Sequence, residues 1–295
     1  MSVARADLLR ALGTLCEAPD PGHVGVAEAL GLPADDPNPG TFLFQVYPYA
    51  SVFVGAEGML GGEARDRVAG FWRALGLTPP PEPDHLAALL GLAAALLEDE
   101  AAETDPARRA IRRQARAALL WEHVCSWALP FLRATAVAGG PLHTVWAALT
   151  ERTLLDELRS LGDRPADLPA CLRDAPGFPG DDAGLDDLLV AVLAPVRSGI
   201  VLTRDDLTRA GRELGVGVRI GERRFILRSM LEHDPAGTLA WLAGEAVGWA
   251  DVHAGTHGEL GVIATFWEER ARAAGARLLR LSTAAEEVMV GAADR

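Results

Sequence analysis

The chain has 295 residues, of which 49% are hydrophobic, and a formal net charge of −13. This length and apolar content suffice for one large core or two modest ones, and they exclude an intrinsically disordered chain. Such an acidic surface repels nucleic acid and anionic lipid and attracts basic peptides, although acidity also serves solubility alone. The acids are concentrated early: residues 1–104 contain 15 Asp or Glu and five Arg, whereas residues 105–162 contain five and eight.

Compartment signals favour the cytoplasm. The cysteines are odd in number and form no CxxC or other close pair: Cys16, Cys125 and Cys171. This pattern fits small buried thiols in a reducing compartment. Residues 1–16 read as an amphipathic helix and not as a signal peptide, because Asp7 interrupts the stretch. The longest apolar run, residues 86–97, is shorter than the ~20 residues that a bilayer span needs.

Helical periodicity dominates the first half of the chain. Apolar residues recur three and four apart over five segments: 2–17, 63–76, 84–103, 106–137 and 142–161. Asp105 before Pro106 is typical of an N-cap followed by proline at the first helical position. The segment 31–62 is rich in proline, glycine and aromatic residues. We expect it to be an ordered loop packed over the helices.

The second half also reads as helical. Residues 163–184 contain prolines, glycines and acids without an apolar face, so they predict a linker between a core at 1–162 and an extension at 185–295. Thr203 begins one helix with a capping-box pattern, and Asp234-Pro235 begins another. Residues 215–221 predict a short hairpin or wing. The helical segments are 185–197, 204–214, 222–233, 236–254, 259–274 and 276–290.

The most informative stretch is 79–89, in which a proline run stops at an acidic helix start. Asp84 is predicted to be the N-cap of the following helix, because a carboxylate there accepts unpaired backbone N–H groups. Glu82 and His85 then lie at the same helix mouth, where they can meet a cationic partner. The alternative is a capped helix with a surface histidine.

This stretch resembles the Glu-Pro-Asp-His signature of the TorD/DmsD family of redox-enzyme maturation chaperones. Two further stretches resemble that family in the expected order. Upstream, residues 47–55 resemble the Tyr-x-x-Leu-Phe-x-Gly type segment, with Val52 in place of Leu, and are followed by 71–77. Downstream, residues 123–131 resemble the His-Leu-x-x-Trp helix. The resemblance covers roughly residues 5–162.

The resemblance implies an all-α, TorD-like helical bundle, here with a C-terminal, mostly helical extension. It implies a non-catalytic chaperone that binds the twin-arginine signal peptide and the apo form of a molybdopterin oxidoreductase, assists cofactor insertion and prevents premature export. No cofactor of its own, nucleic acid or membrane insertion is expected, and a homodimer is left open.

The implied peptide-binding residues fall into three groups. Glu82 and Asp84, on either side of Pro83, would engage the arginines. His85 would hydrogen-bond the peptide backbone or fix the loop, and His123 would line the groove or anchor a helix pair. Aromatic residues would form an apolar wall, or belong to the core as large aromatics usually do: Tyr49, Phe53, Trp72 and Trp127.

Two other patterns compete with this interpretation. Arginines are dense over residues 197–228, and two helices around a short turn there would suit a helix-turn-helix regulatory protein that binds DNA. The overall acidity disfavours that alternative. His253 and His257 are spaced as metal ligands on one helix face, yet no glutamate follows His253, so we expect structural histidines. Without a nucleophile elbow, phosphate loop or CxxC pair, an enzyme is not expected.

Overall fold

The computed structural model describes residues 2–18, 20–33, 40–163, 165–180, 182–217 and 221–293. Helices and turns account for the structure over these residues, and they include no strand beyond one isolated bridge. The all-α fold class predicted from the sequence is confirmed. Among the described helices, none combines the length and apolarity that a bilayer crossing requires.

The chain forms two compact units. Unit 1 comprises Met1–Gly55 and Met59–Arg173, and unit 2 comprises Ala56–Gly58 and Asp174–Arg295. The division falls inside the segment 163–184 for which the sequence predicts a linker. The first part of that segment packs within unit 1, because the Trp121 indole donates to the Asp167 carbonyl at 3.1 Å. Leu172 is also fully buried there.

Unit 1 is built from helices and two π-helical turns. The helices are α1 Ser2–Thr14, α2 Gly22–Ala29, α3 Ala50–Val54, α4 Gly62–Ala74, α5 Leu86–Ala102, α6 Pro106–Ala118, α7 Ala128–Ala138, α8 Pro141–Ser160 and α9 Ala170–Arg173. The π-helical turns are Thr41–Gln45 and Leu119–Val124. The predicted loop over 31–62 therefore contains α3 and a π-helical turn, while residues 34–39 lie outside the described part.

The predicted single helix over 106–137 is wrong. Asp105 caps its start as expected, with its carboxylate accepting the Arg108 N–H at 2.9 Å. The chain then passes through the second π-helical turn and restarts as α7 at Ala128. Pro130 explains the restart, because a proline without an N–H is tolerated in the first turn of a helix and disrupts its interior.

An aromatic cluster forms the core of unit 1. Trp127 lies with its ring centroid 5.4 Å from that of Phe53 and 5.6 Å from that of Phe131. Trp146 on α8 packs against the same cluster and donates its indole N–H to the Leu12 carbonyl at 3.0 Å. These rings are fully buried, so α1, α7 and α8 share one apolar interior.

Unit 2 contains the remaining helices. They are α10 Leu185–Leu193, α11 Pro195–Ser198, α12 Arg204–Leu214, α13 Arg223–His233, α14 Pro235–Ala254, α15 His257–Leu260 and α16 Val262–Ala293. The capping box at Thr203 is confirmed, since its hydroxyl accepts the Asp206 N–H while the Asp206 carboxylate accepts the Thr203 N–H. The cap at Asp234 is confirmed by its bond to the Gly237 N–H at 2.9 Å.

Two expectations for unit 2 change, and a third falls partly outside the described residues. The helix predicted over 185–197 breaks at Ala194, since Pro195 removes a backbone donor. The break predicted at residue 275 is wrong, because α16 runs through it from Val262 to Ala293; residues 259–260 belong to α15, which Gly261 ends. Gly275 allows close packing of α16 on α14, since a Cβ there would lie 3.1 Å from that of Ala246. The predicted hairpin over 215–221 lies partly outside the described residues, at 218–220.

The paired histidines of unit 2 do not share a helix face. Helix α14 ends at Ala254, between His253 and His257. His253 Nε2 lies 2.8 Å from the Gly199 carbonyl oxygen, and His257 contacts Glu268 at 2.7 Å. The expected i, i+4 arrangement on one helix is therefore wrong, and over the described ranges no three His, Cys, Asp or Glu side chains cluster as metal ligands.

Candidate binding cleft

The Glu-Pro-Asp-His segment is held against the start of α3 by backbone pairing. Tyr49 and His85 form an isolated antiparallel bridge. The flanking hydrogen bonds run from the Ala50 N–H to the Asp84 carbonyl (3.0 Å) and from the Leu86 N–H to the Pro48 carbonyl (2.8 Å). The two family-like stretches, 47–55 and 82–85, therefore meet in space.

Asp84 is a buried structural residue in this arrangement. It is 2% exposed, and its carboxylate accepts the Ser51 N–H in the first turn of α3 at 3.0 Å. The prediction that Asp84 caps α5 is wrong, because His85 occupies the N-cap and its Nδ1 accepts the Ala87 N–H at 3.1 Å. The carboxylate instead satisfies an unpaired donor of the neighbouring short helix.

One ring nitrogen of His85 accepts a hydrogen bond within the protein, and the other is available as a donor. Since Nδ1 accepts from Ala87, the neutral ring carries its proton on Nε2. Burial lowers the pKa of His85, against the opposing effect of the Glu82 and Asp84 carboxylates. A neutral His85 with an Nε2–H donor therefore lies at the mouth of α5.

Glu82 is the exposed acid of the segment. The Tyr49 hydroxyl donates to its Oε2 at 2.8 Å. Burial raises the pKa of Tyr49, and the hydrogen bond to Glu82 raises it further, so the phenol stays protonated as a donor. The indole N–H of Trp72, on α4, donates to the Pro83 carbonyl oxygen at 3.4 Å and so links α4 to the turn before α5.

These residues border an open cleft of about 970 Å³ within unit 1. Its walls come from the end of α1, from α2, from the 41–49 and 77–82 stretches, and from α5 and α8. Exposed apolar side chains stand at its rim, among them Leu43, Leu60 and Leu77. Its acids are Glu17 and Glu82, and of the described residues that line it none is an arginine.

The structure brings some of the predicted site residues together and separates others. Four of them line the cleft: Tyr49, Trp72, Glu82 and His85. Phe53 and Trp127 are fully buried in the aromatic core, and Asp84 is buried under α3. Pro83 contributes its carbonyl to Trp72 and does not line the cleft.

His123 lies away from the cleft and packs on Phe71 of α4, with ring centroids 4.6 Å apart. Burial, followed by the charge of Arg67, lowers the pKa of His123 to about 4. His123 is half-buried, so the ring serves the contact between α4 and the second π-helical turn.

We expect His123 to weaken unit 1 at acid pH. Because its pKa in the folded state lies below that of an unfolded histidine, the unfolded chain alone binds a proton between about pH 6.5 and pH 4. This contribution to stability is fully present above that window and falls by about 3 kcal/mol across it. When the free energy of unfolding is measured from pH 7.5 to 4.5, it should fall less steeply for His123→Phe than for the unaltered protein. Identical slopes of free energy against pH would contradict this role.

Several cleft residues carry no signal that the sequence analysis used. Glu17, His23 and His143 come from α1, α2 and α8 or the turns beside them, and Phe42 comes from the segment expected to be a loop. Only the tertiary arrangement places them beside the family-like stretch. The exposed leucines at 60 and 77, each next to a glycine, are the one hint that sequence inspection could have followed.

Comparison with known proteins finds a family match over the segment that contains the predicted site residues. Residues 40–133 match the family model described as the nitrate reductase delta subunit. A search of curated proteins found no match. The matched segment includes every site residue predicted from the sequence, from Tyr49 to Trp127. Residues 40–133 are therefore similar to the nitrate reductase delta subunit family of TorD-type chaperones, which is consistent with the resemblance to TorD/DmsD.

Proposed function

We propose that this protein is a maturation chaperone whose unit 1 cleft binds an arginine-bearing apolar peptide, the twin-arginine signal peptide of a molybdopterin oxidoreductase. The observation that carries the proposal is an apolar cleft edged by carboxylates and without an arginine among its described lining residues. Similarity to a chaperone family over residues 40–133 supports a binding role in place of a catalytic one.

The shape of the cleft suits a peptide. Its volume of about 970 Å³ is at the upper end of ordinary ligand sites, and it is open to solvent. Leu60 and Leu77 expose 57% and 43% of their surface at the rim. Large apolar side chains held in water are stabilised when another chain covers them. An apolar peptide segment is the guest that such a surface accommodates.

The charges of the cleft select a cationic guest. Glu82 is exposed, and its partner in the free protein is the neutral Tyr49 hydroxyl. The Glu17 side chain is exposed, and its carboxylate has no hydrogen-bond or ion-pair partner in the described part of the chain. A guanidinium bound to a carboxylate forms a charge-assisted, bidentate pair that a phenol cannot match. We assign the guest's arginines to Glu82 and Glu17.

In this function the protein acts in the cytoplasm before export of its client. Binding shields the signal peptide and holds the apoenzyme receptive to its cofactor, with no bond made or broken. The partner is the catalytic subunit of the oxidoreductase, as the family implies a molybdoenzyme client.

The DNA-binding alternative gains no support from the Arg-rich segment. Arg209 contacts Asp206 and Glu245, and Arg224 and Arg228 both contact Asp186. Arginines paired with carboxylates of their own chain release fewer counterions from a duplex than free arginines do. In a gel-shift assay at low salt with random duplex DNA, we expect no complex, and a shifted band would favour the alternative.

The proposal is tested by the affinity of a synthetic peptide with two adjacent arginines followed by about twelve apolar residues. We expect calorimetry to detect binding, and Glu82→Gln to weaken it about 5- to 10-fold through loss of a partly exposed charge pair. Glu63→Gln is the matched control, since Glu63 is an exposed acid on α4 outside the cleft. No binding, or equal effects of the two variants, would contradict the proposal.

A further inference from the structure

Two histidines line the cleft and belong to neither the family-like stretches nor the matched segment 40–133. His23 lies on α2 and His143 in the first turn of α8. Their exposed fractions are 6% and 2%, so both imidazoles are largely withdrawn from water. Phe42 packs edge-on against His143, with ring centroids 5.1 Å apart.

Neither imidazole has a hydrogen-bond partner among the described residues. The fully enclosed side-chain atoms without a partner in that part of the chain are Thr41 Oγ1 and Thr238 Oγ1, and the nitrogens of His23 and His143 are not among them. Each unpaired ring nitrogen therefore keeps a small opening to solvent. Both side chains line the cleft.

A neutral imidazole needs one hydrogen-bond donor and one acceptor from its surroundings. Burial lowers the pKa of His143, which keeps it neutral at neutral pH. An apolar guest displaces water from the cleft, and its own polar groups are its main-chain amides. A helical guest pairs those amides internally, except at its ends. An unwound guest leaves them free for the imidazoles.

We propose that His23 and His143 are main-chain anchors of the cleft, and that the guest's apolar segment crosses them in a non-helical conformation with its amides hydrogen-bonded to the two rings. His85 suits the same role, since its Nε2–H is the donor left after Nδ1 accepts from Ala87. This inference rests on the proposed function and adds the guest's conformation and two residues to it.

The test uses the full chain labelled with ¹⁵N at histidine and the same synthetic twin-arginine peptide labelled with ¹³C. On binding, we expect the ring ¹⁵N resonances of His23 and His143 to shift, while that of His233, an exposed residue of unit 2, does not. The ¹³Cα shifts of the peptide's apolar segment should be non-helical. A bound peptide that is helical throughout, with unshifted rings, overturns the inference and leaves the proposed function standing.

Variants supply a second measurement. His143→Phe and His23→Phe keep a ring in the wall and remove its hydrogen bonds, so each should weaken peptide binding about 5- to 100-fold by leaving a buried amide unpaired. His233→Phe is the control and should bind as the unaltered protein does. Unchanged affinity in both cleft variants overturns the inference, and absence of peptide binding by the unaltered protein overturns it together with the proposed function.

Discussion

Replacement of Arg116 by methionine is expected to destabilise unit 1 by about 3–5 kcal/mol. Arg116 is 3% exposed, and its guanidinium lies 2.9 Å from carboxylate oxygens of both Glu100 and Glu157. Glu157 is equally buried and also contacts Arg5 at 2.6 Å. The network joins α1, α5, α6 and α8. Removal of its central cation leaves Glu157 with only the part-exposed Arg5, and Glu100 with only an exposed arginine. These carboxylates then lose their one buried cation, which costs more than the lost attraction alone.

Arg113→Met is the matched control for Arg116→Met. Arg113 lies on the same helix and contacts the same Glu100, but its side chain is 44% exposed. Exposed pairs of this kind contribute about 0–1 kcal/mol. Hydrogen exchange of amides in α5 and α8 reports the free energy of unit 1 separately from unit 2. A loss below 1 kcal/mol for Arg116→Met, similar to that of the control, would show that the buried network does not stabilise the bundle.

Asp84→Ala is the second large effect, an expected loss of about 2–3 kcal/mol. The side chain is buried and its carboxylate accepts the Ser51 N–H, so alanine leaves a buried donor unpaired and removes a charge-assisted bond. Asp84→Asn retains an acceptor oxygen of the same shape and should lose less. Hydrogen exchange at Ser51 and the amides of α3 measures the effect directly.

The same residue separates a structural role from a binding role. A stable Asp84→Asn protein should bind the twin-arginine peptide within twofold of the unaltered affinity. The Glu82→Gln protein should bind it about 5- to 10-fold more weakly than the unaltered protein does. If Asp84→Asn abolished binding while α3 kept its protection, Asp84 would be a peptide contact and the assignment of the acidic role to Glu82 would be wrong.

Local signals predicted most of the helices, because caps and apolar periodicity act within a few residues. Asp105, Thr203 and Asp234 each begin a helix as predicted. The predicted helix boundaries were wrong where one residue type is compatible with two local structures. Pro130 marks the first turn of a new helix, and Gly275 marks close packing and not a break.

The candidate site was predictable only in part, because tertiary packing and not local sequence decides which side chains face the cleft. The family-like stretches identify Glu82 and His85 at the cleft, but tertiary packing decides which acid faces solvent. Asp84 turns inward because the start of α3 offers an unpaired N–H, and no pattern around residue 84 reveals that donor. His23 and His143 come from helices far apart in the chain, so only the folded unit places them together.

The central claim is that an arginine-bearing apolar peptide occupies the cleft of unit 1, and photo-crosslinking tests it most directly. The synthetic peptide would carry one benzoylphenylalanine in its apolar segment, and the adducts would be mapped by mass spectrometry. We predict adducts at the cleft residues Leu60, Trp72 and Leu77. An excess of the same peptide without benzoylphenylalanine should reduce their yield. Adducts confined to unit 2, or spread over unit 1 without competition, would contradict the account.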